Sequence, residues 1–524
     1  MSASRLQFEL PKNSKPVDYL DELIAEKGFI RDCDLEFGRL FLDTFDWRLF
    51  GNGFMLMTDS LEGRFKTIWQ PCDKAQVLGV LFSDRIPVFI GDLPAGKMRR
   101  ILAPILEMRA LLPQSKLECL QQRLRLQNKH DKTVLRLNIE SYTIKDADRE
   151  EKKLRSRVCL EAVRGYDKAF SEVAGLFKEL LDLRPLSENL LVAALKRVGR
   201  RPLEYTSKLD LKLEPSMRID SAVRIIFRRL FSTLENNEPG TKQNIDSEFL
   251  HDYRVAIRRT RALLDQSKEF LPDDVVENFA CEFAWLAKAT GATRDLDVYL
   301  LNFEAYRKTI PVSIRKDLEP LHAFLQAKQK NAQSELVKVL ESDRYHRLKK
   351  QWKTFLDEAI EEKPREILAD TRVKQIADDS IRRVYKSIRR KGRAIDPDAP
   401  PARLHRLRIH CKKLRYLIEF FESLYSGKQI RHSIKALKGL QDNLGNFQDL
   451  AVQEKNLRQY STEMMESRSA ARTLLAMGIL VQELEKQRET VRREFMQRFE
   501  EFDSAENRTL FHSLFQNGEG DSTT

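Results

Sequence analysis

A chain of 524 residues with 42% hydrophobic side chains holds enough apolar material for packed cores, at a length that suggests two to four domains. Its apolar runs, such as VLGVLF at 77–82, fall far short of the roughly 20 residues that span a bilayer, and MSASRLQFEL shows no charged leader before an apolar stretch, so membrane-spanning and secreted classes are set aside. A formal charge of +13 and a pI near 9.3 point to an anionic partner, but with 33% of residues charged only local segregation of sign is informative.

In chain order, residues 1 to about 205 read as short apolar runs broken by Gly, Asn, Asp and Pro. A helix is expected at PVDYLDELIAEKG (16–28), then strands in RLFLDTFDWRLFGNGFMLM (39–57) and QVLGVLFSDRIPVFIGD (76–92). A second helix follows at 97–112, strands at LECLQQRLRL (117–126) and TVLRLNIESYTI (133–144), and a third helix at 167–183. This predicts an α+β domain over 1–205 with a mostly antiparallel sheet, followed by a linker at 206–215. From 216 to 515 the strand signals vanish and 3.6-residue amphipathic spacing takes over, in 221–235, 252–271, 320–342 and 472–499. Two breaker-rich stretches, NNEPGTKQNIDSE (236–248) and KGRAIDPDAPPARL (391–404), read as linkers, and QNGEGDSTT (516–524) as a disordered tail. The six cysteines form no CxxC pair and read as reduced thiols of a cytosolic protein, most of them core filler.

Each breaker-rich stretch leads into the same phrase. HDYRVAIRRTR (251–261) and HRLRIHCKKLR (405–415) align as His251 with His405, Arg254 with Arg408, Arg258 with Lys412 and Arg261 with Arg415, all 154 residues apart. The next hairpin keeps the offset, with Gly291 on Gly445, Asp295 on Asp449 and Leu296 on Leu450. A register held across two separated motifs marks a tandem helical repeat, about 216–370 and 371–515. Counting the histidine as position 0, the cations fall at +3, +7 and +10, within an arc of roughly 80° on one helix face. A resting surface helix would pair such a file with glutamates at i+4. The first phrase has only Asp252 and the second has no acid, so an external anion is expected to compensate them. Arginine forks suit phosphate oxygens, and a histidine among cations is disposed to remain a neutral donor. Aromatic stacking platforms and recognition-helix amides are missing from the file, so a linear polyanion without bases, inorganic polyphosphate, fits best.

The paired phrases HxxRVxxRRxR and LHRLRIHCKKLRY, each followed by a G-x-x-x-D-L hairpin, strongly resemble the CHAD domain over about 216–515. The resemblance implies two pseudo-symmetric four-helix bundles around a basic groove that binds polyphosphate. It assigns phosphate contacts to His251, Arg254, Arg258, Arg261, His405, Arg408, Lys412 and Arg415. Arg228 on the preceding helix and the i, i+3 pair Lys435 and Lys438 are added as further contacts.

The N-terminal part resembles a CYTH domain, a triphosphate tunnel, through DTFDWRLFGNGFML (43–56) and VCLEAVRG (158–165). It departs from that family's E-x-E-x-K opening, where Gln7-Phe8-Glu9-Leu10-Pro11 keeps one glutamate and loses the lysine. Met57 and Trp69 stand where an arginine and a lysine are expected, and Cys159 replaces one glutamate of the late strand, leaving Glu161. Such enzymes need paired carboxylates for a divalent metal and a ring of cations for triphosphate, and both are thinned together. The expectation is a cytoplasmic polyphosphate-binding protein, on polyphosphate granules or beside polyphosphate-metabolising proteins, without catalysis, metal, cofactor or membrane contact. Its CYTH-like domain would be a degenerate scaffold. A metal-dependent inorganic triphosphatase and a nucleic-acid or ribosome-associated binder are the alternatives.

Overall fold

The computed structural model describes residues 5–11, 21, 28–73, 76–145, 150–179, 184–186, 188–358, 370–466 and 471–515. The expected helix at 16–28, apart from residues 21 and 28, and the tail at 516–524 lie outside the described residues. The chain divides into two compact units, Met1–Ser207 and Lys208–Thr524.

Among the described residues the N-terminal unit is built on an antiparallel sheet of ten strands: β1 (Arg5–Glu9), β2 (Phe29–Asp43), β3 (Phe54–Leu61), β4 (Arg64–Pro71), β5 (Gly79–Ser83), β6 (Leu112–Gln127), β7 (Thr133–Lys145), β8 (Glu151–Lys153), β9 (Arg157–Ala162) and β10 (Arg184–Pro185). Their order is β10-β1-β9-β7-β6-β2-β3-β4-β5, with β8 paired to β7. The sheet curls, since a cavity of about 340 Å³ is lined at once from β1, β2, β3, β4, β7 and β9. The unit's described helices are α1 (Arg48–Gly51), α2 (Lys97–Leu106), α3 (Asp167–Glu179) and α4 (Leu190–Arg197). On the outer face, α3 packs Ala174 against Phe8, Leu135, Leu137, Val158 and Leu160. On the inner face, α4 sets Leu190, Leu191, Ala194 and Leu195 among Phe37, Met55, Met57, Ile68, Leu117 and Tyr142.

The second unit holds, among the described residues, α5 (Ile219–Lys242), α6 (Ser247–Gln266), α7 (Asp273–Ala289), α8 (Gly291–Thr309), α9 (Glu319–Leu340), α10 (Asp343–Asp357), α11 (Val373–Arg393), α12 (Pro401–Phe420), α13 (Gly427–Glu466), α14 (Ala471–Phe502) and α15 (Ala505–Leu514). The 154-residue offset is kept in three dimensions: α5 and α11 begin at equivalent positions, and α6 and α12 begin and end at them. One apolar core runs through both repeats. The segment read as a linker contributes buried Leu209 and Leu213 to that core.

Two expectations need correction. Residues 236–242 are not a linker, because α5 continues through Pro239 to Lys242 and the true break is only Gln243–Asp246. Phe249 packs against Gly240, where an added Cβ would stand 2.3 Å from its ring, so tertiary packing overrides the breaker composition there. The cysteines are not mostly filler: Cys119, Cys159 and Cys411 are buried, but Cys33 and Cys281 are exposed and Cys72 is half-buried.

The repeats meet about a pseudo-two-fold relation. Arg218 and Arg372, equivalent residues, form an antiparallel bridge. The Ile219 amide donates to the Thr371 carbonyl at 2.9 Å and the Val373 amide to the Met217 carbonyl at 2.8 Å, the same contact made twice. Helices α6 and α12 pack together, and their ion pairs obey the same exchange. Arg259 reaches Glu419 at 2.6 Å and Lys413 reaches Asp265 at 2.9 Å.

Candidate anion-binding site

The exchange of α6 and α12 brings the two basic files together. Arg258 and Lys412 occupy equivalent positions, and neither side chain has a hydrogen bond or ion pair among the described residues; the buried Nε of Arg258 has no acceptor. Burial, then repulsion from Arg408 and Arg258, pulls the Lys412 ammonium down to about 8 against the opposing pull of Asp449. Arg254 is depressed by burial and by Arg258 and Arg294, with Asp295 offsetting part of the effect. Cations from both repeats therefore share one field, in which removal from water and like charge both disfavour the resting state.

The outer members are held by the neighbouring hairpins. In repeat one the hairpin helix is broken at Thr290, between α7 and α8. There Arg254 Nη1 donates to the Ala287 carbonyl at 2.9 Å and to Thr290 Oγ1 at 2.7 Å, satisfying a carbonyl near a helix end. In repeat two the same stretch is uninterrupted within the 40-residue α13, and Arg408 instead meets Asp449 at 3.3 Å. Asp295 and Asp449, also equivalent, are both raised, chiefly by burial, and Asp449 adds to the shift of Asp295.

The histidines have equivalent supports. His251 Nδ1 lies 2.9 Å from Arg294 Nη2, and His405 Nδ1 lies 2.8 Å from Gln448 Oε1, Arg294 and Gln448 being equivalent positions. A guanidinium only donates, so His251 Nδ1 accepts and its hydrogen sits on Nε2.

The remaining expected residues divide. Arg261 is exposed and has no partner among the described residues, whereas Arg415 is tied to Glu419 at 2.7 Å. Lys435 and Lys438 are exposed on α13. Lys438 falls on the Asp449 face of that helix, about 16 Å along its axis. Among the described residues Arg228 makes no hydrogen bond or ion pair toward the Arg258–Lys412 centre; it donates to the Leu356 carbonyl at the end of α10, beside Arg224, which donates to the Phe355 carbonyl. The expectation that the files lack acids also needs correction. Asp449 and Glu419 approach from the hairpin and from the end of α12, beyond the phrases themselves. Arg294 was missed; its signal was equivalence to Gln448 next to the repeated aspartate.

In the N-terminal unit four acids, Glu9, Asp59, Glu140 and Glu161, are engaged by arginine, whereas Glu188, which also lines the cavity with Asp73, pairs with Lys196. Arg39 holds Asp59 at 2.7 Å and Glu140 at 3.2 Å, Arg157 and Arg155 reach Glu9 at 3.4 Å, and Arg5 reaches Glu161 at 3.3 Å. Burial works against the Glu140 charge, but Arg39 and the Tyr142 hydroxyl outweigh it and hold that carboxyl well below the usual range. Trp69 does not face the cavity, contrary to its reading as a replaced lysine. It packs outward with Leu56, Leu102 and Leu106, and Ile68 and Gln70 are the cavity-lining positions of β4.

Residues 225–458 match the family model of the CHAD domain, and this part of the chain is a CHAD domain. Among solved structures the chain is similar to the CHAD domain of the plant Ricinus communis, at 24% identity over 59% of this chain and 96% of that one, with a TM-score of 0.46. It is also similar to PptA from Streptomyces chartreusis, at 17% identity over 54% of this chain and 100% of that one, TM-score 0.43. A third similarity is to an adenylyl cyclase homologue of Hippeastrum described as having dominant triphosphatase activity, at 14% identity over 39% of this chain and 100% of that one, TM-score 0.26. A search of curated protein sequences finds no match. Among the described residues no helix is long and apolar enough to cross a membrane.

Proposed function

We propose that this protein binds inorganic polyphosphate through the joined basic files of α6 and α12, without catalysis, in the cytoplasm and in association with polyphosphate granules. The observation that carries the reading is the pair Arg258 and Lys412, equivalent by repeat, sharing one field and without a side-chain hydrogen bond or ion pair among the described residues, with only Asp449 near enough to offset part of the repulsion. A linear polyanion supplies the missing countercharge along the whole file. Competition of long-chain polyphosphate against DNA, RNA and tripolyphosphate on the purified protein tests the ligand class. Preference for RNA or DNA at matched charge overturns it.

Lys412 gives the reading a pH signature. A bound polyanion stabilises the ammonium, so its pKa rises on binding, and binding takes up a proton between about pH 8 and the bound value. Affinity is therefore flat below pH 7 and falls above pH 8, by at most about tenfold per pH unit for one linked proton. Lys412→Arg keeps the affinity and removes this fall, as read by titration calorimetry in buffers of different ionisation heat.

The non-catalytic reading of the N-terminal unit is supported by the arginine-paired acids and by α4 setting leucine against part of the inner face. Metal-dependent hydrolysis needs carboxylates open to a divalent ion. With magnesium or manganese, phosphate release from tripolyphosphate or nucleoside triphosphates is expected to stay at background. Turnover that disappears in Glu9→Ala or Glu161→Ala contradicts this.

A further inference from the structure

Helix α12 is basic on a second face that α6 does not share. Arg406 lies about 100° round the helix from His405, and Lys386 and Arg390 stand one turn apart on α11. All three are exposed, and none has a hydrogen bond or ion pair through its side chain among the described residues. Between them Lys391 Nζ meets His410 Nε2 at 2.7 Å, while His410 Nδ1 is 2.9 Å from the Arg406 carbonyl, which fixes the two helices together at this point. Burial, then Arg390 and Arg406, depresses the Lys391 ammonium, so Lys391, Arg390 and Arg406 share one field, with Lys386 one helical turn before Arg390. The acids of the adjoining loop do not answer them: Asp396 takes the Asp398 amide instead, at 3.0 Å.

Repeat one shows that the fold does not require these cations. The positions equivalent to Lys386, Arg390, Lys391, Arg406 and His410 are Ser232, Asn236, Asn237, Asp252 and Ala256. Asn237, Asp252 and Ala256 are buried there, whereas Arg406 is exposed and His410 half-buried. An ordinary solvated face would carry glutamates at i+4. Here the cations are unanswered; on α12, Arg406 stands about 100° round from His405 and about 160° from Arg408.

We infer that this face is an extension of the polyphosphate site, over which a long chain leaves the two-fold groove on the side of repeat two only. The inference rests on the polyphosphate reading and adds to it an asymmetry of the bound chain and a dependence on chain length. A short chain fills the Arg258–Lys412 centre and never reaches Lys386, Arg390 or Arg406. A long chain touches both.

The test compares the intact protein with Lys386→Ala/Arg390→Ala/Arg406→Ala, using long-chain polyphosphate and tripolyphosphate over a range of salt. The expected result is a loss of at least tenfold for the long chain and no change for tripolyphosphate. The slope of log affinity against log salt should become shallower by about 2, at about 0.7 per lost phosphate contact. Unchanged long-chain affinity and slope, or an equal loss for both ligands, overturns the extension and leaves the central site standing. Failure of the unmodified protein to bind either ligand overturns the polyphosphate reading itself.

Discussion

Neutralising Arg258 and Lys412 together lowers long-chain polyphosphate affinity by about a hundredfold or more. Each charge-assisted contact is worth roughly 1.5–3 kcal/mol, so two lost contacts come to about 3–6 kcal/mol before non-additivity is allowed for. Neither side chain gives up a hydrogen bond or ion pair among the described residues when it is removed. Neutralising one repeat at a time, Arg254 with Arg258 or Arg408 with Lys412, should also weaken the long chain severely and tripolyphosphate much less. Replacing His251 or His405 by alanine costs less than either pair, since a neutral ring supplies one ordinary hydrogen bond. The double variant Arg258→Ala/Lys412→Ala should unfold no more easily than the unmodified protein. Removing like charges that are partly withdrawn from water relieves a cost of the folded state. A binding isotherm and a denaturant melt on the same sample check both halves of the expectation.

Trp352→Ala is expected to do the opposite. Trp352 is 1% exposed and sits among Phe279 at 4.5 Å, Phe227 at 4.9 Å, Phe283 at 5.2 Å and Phe355 at 5.4 Å between ring centroids. Deleting the indole removes the centre of an aromatic cluster that joins α5, α7 and α10, at about 3–5 kcal/mol of folding free energy. The midpoint of urea unfolding should fall sharply, followed by intrinsic fluorescence from the other tryptophans or by circular dichroism. At temperatures where the variant remains folded its polyphosphate affinity should be close to that of the unmodified protein, because Trp352 touches none of the basic file. A variant that loses binding while keeping its stability would mean that the groove depends on the α10 side of the repeat, contrary to the account.

The repeat and its basic file were legible because both are written in one-dimensional spacing. Arg254, Arg258, Arg408 and Lys412 stand out by helical period and by an offset that never slips. The reason the two files act together was not legible. It depends on α6 packing against α12, recorded by Arg259 with Glu419 and Lys413 with Asp265, and neither pair has any local sequence signature. Arg228 shows the converse failure: helical spacing marks it as a cation near the repeat start, and only the tertiary fold gives it to the end of α10. Trp69 was assigned to the wrong face because strand alternation in RFKTIWQP reads equally well in two registers one residue apart. The exposed face of Lys386, Arg390 and Arg406 escaped notice because those cations belong to two helices and break the repeat instead of following it.

The central claim is that the two phrases line one site. Its most direct test is the stoichiometry of a homogeneous polyphosphate long enough to span α6 and α12 but too short to hold two protein molecules, measured by calorimetry at protein concentrations well above Kd. The account predicts one chain per protein, a single transition, and loss of most of the heat when either Arg254 with Arg258 or Arg408 with Lys412 is neutralised. Two equivalent, independent chains per protein, each lost only with its own repeat, would contradict it.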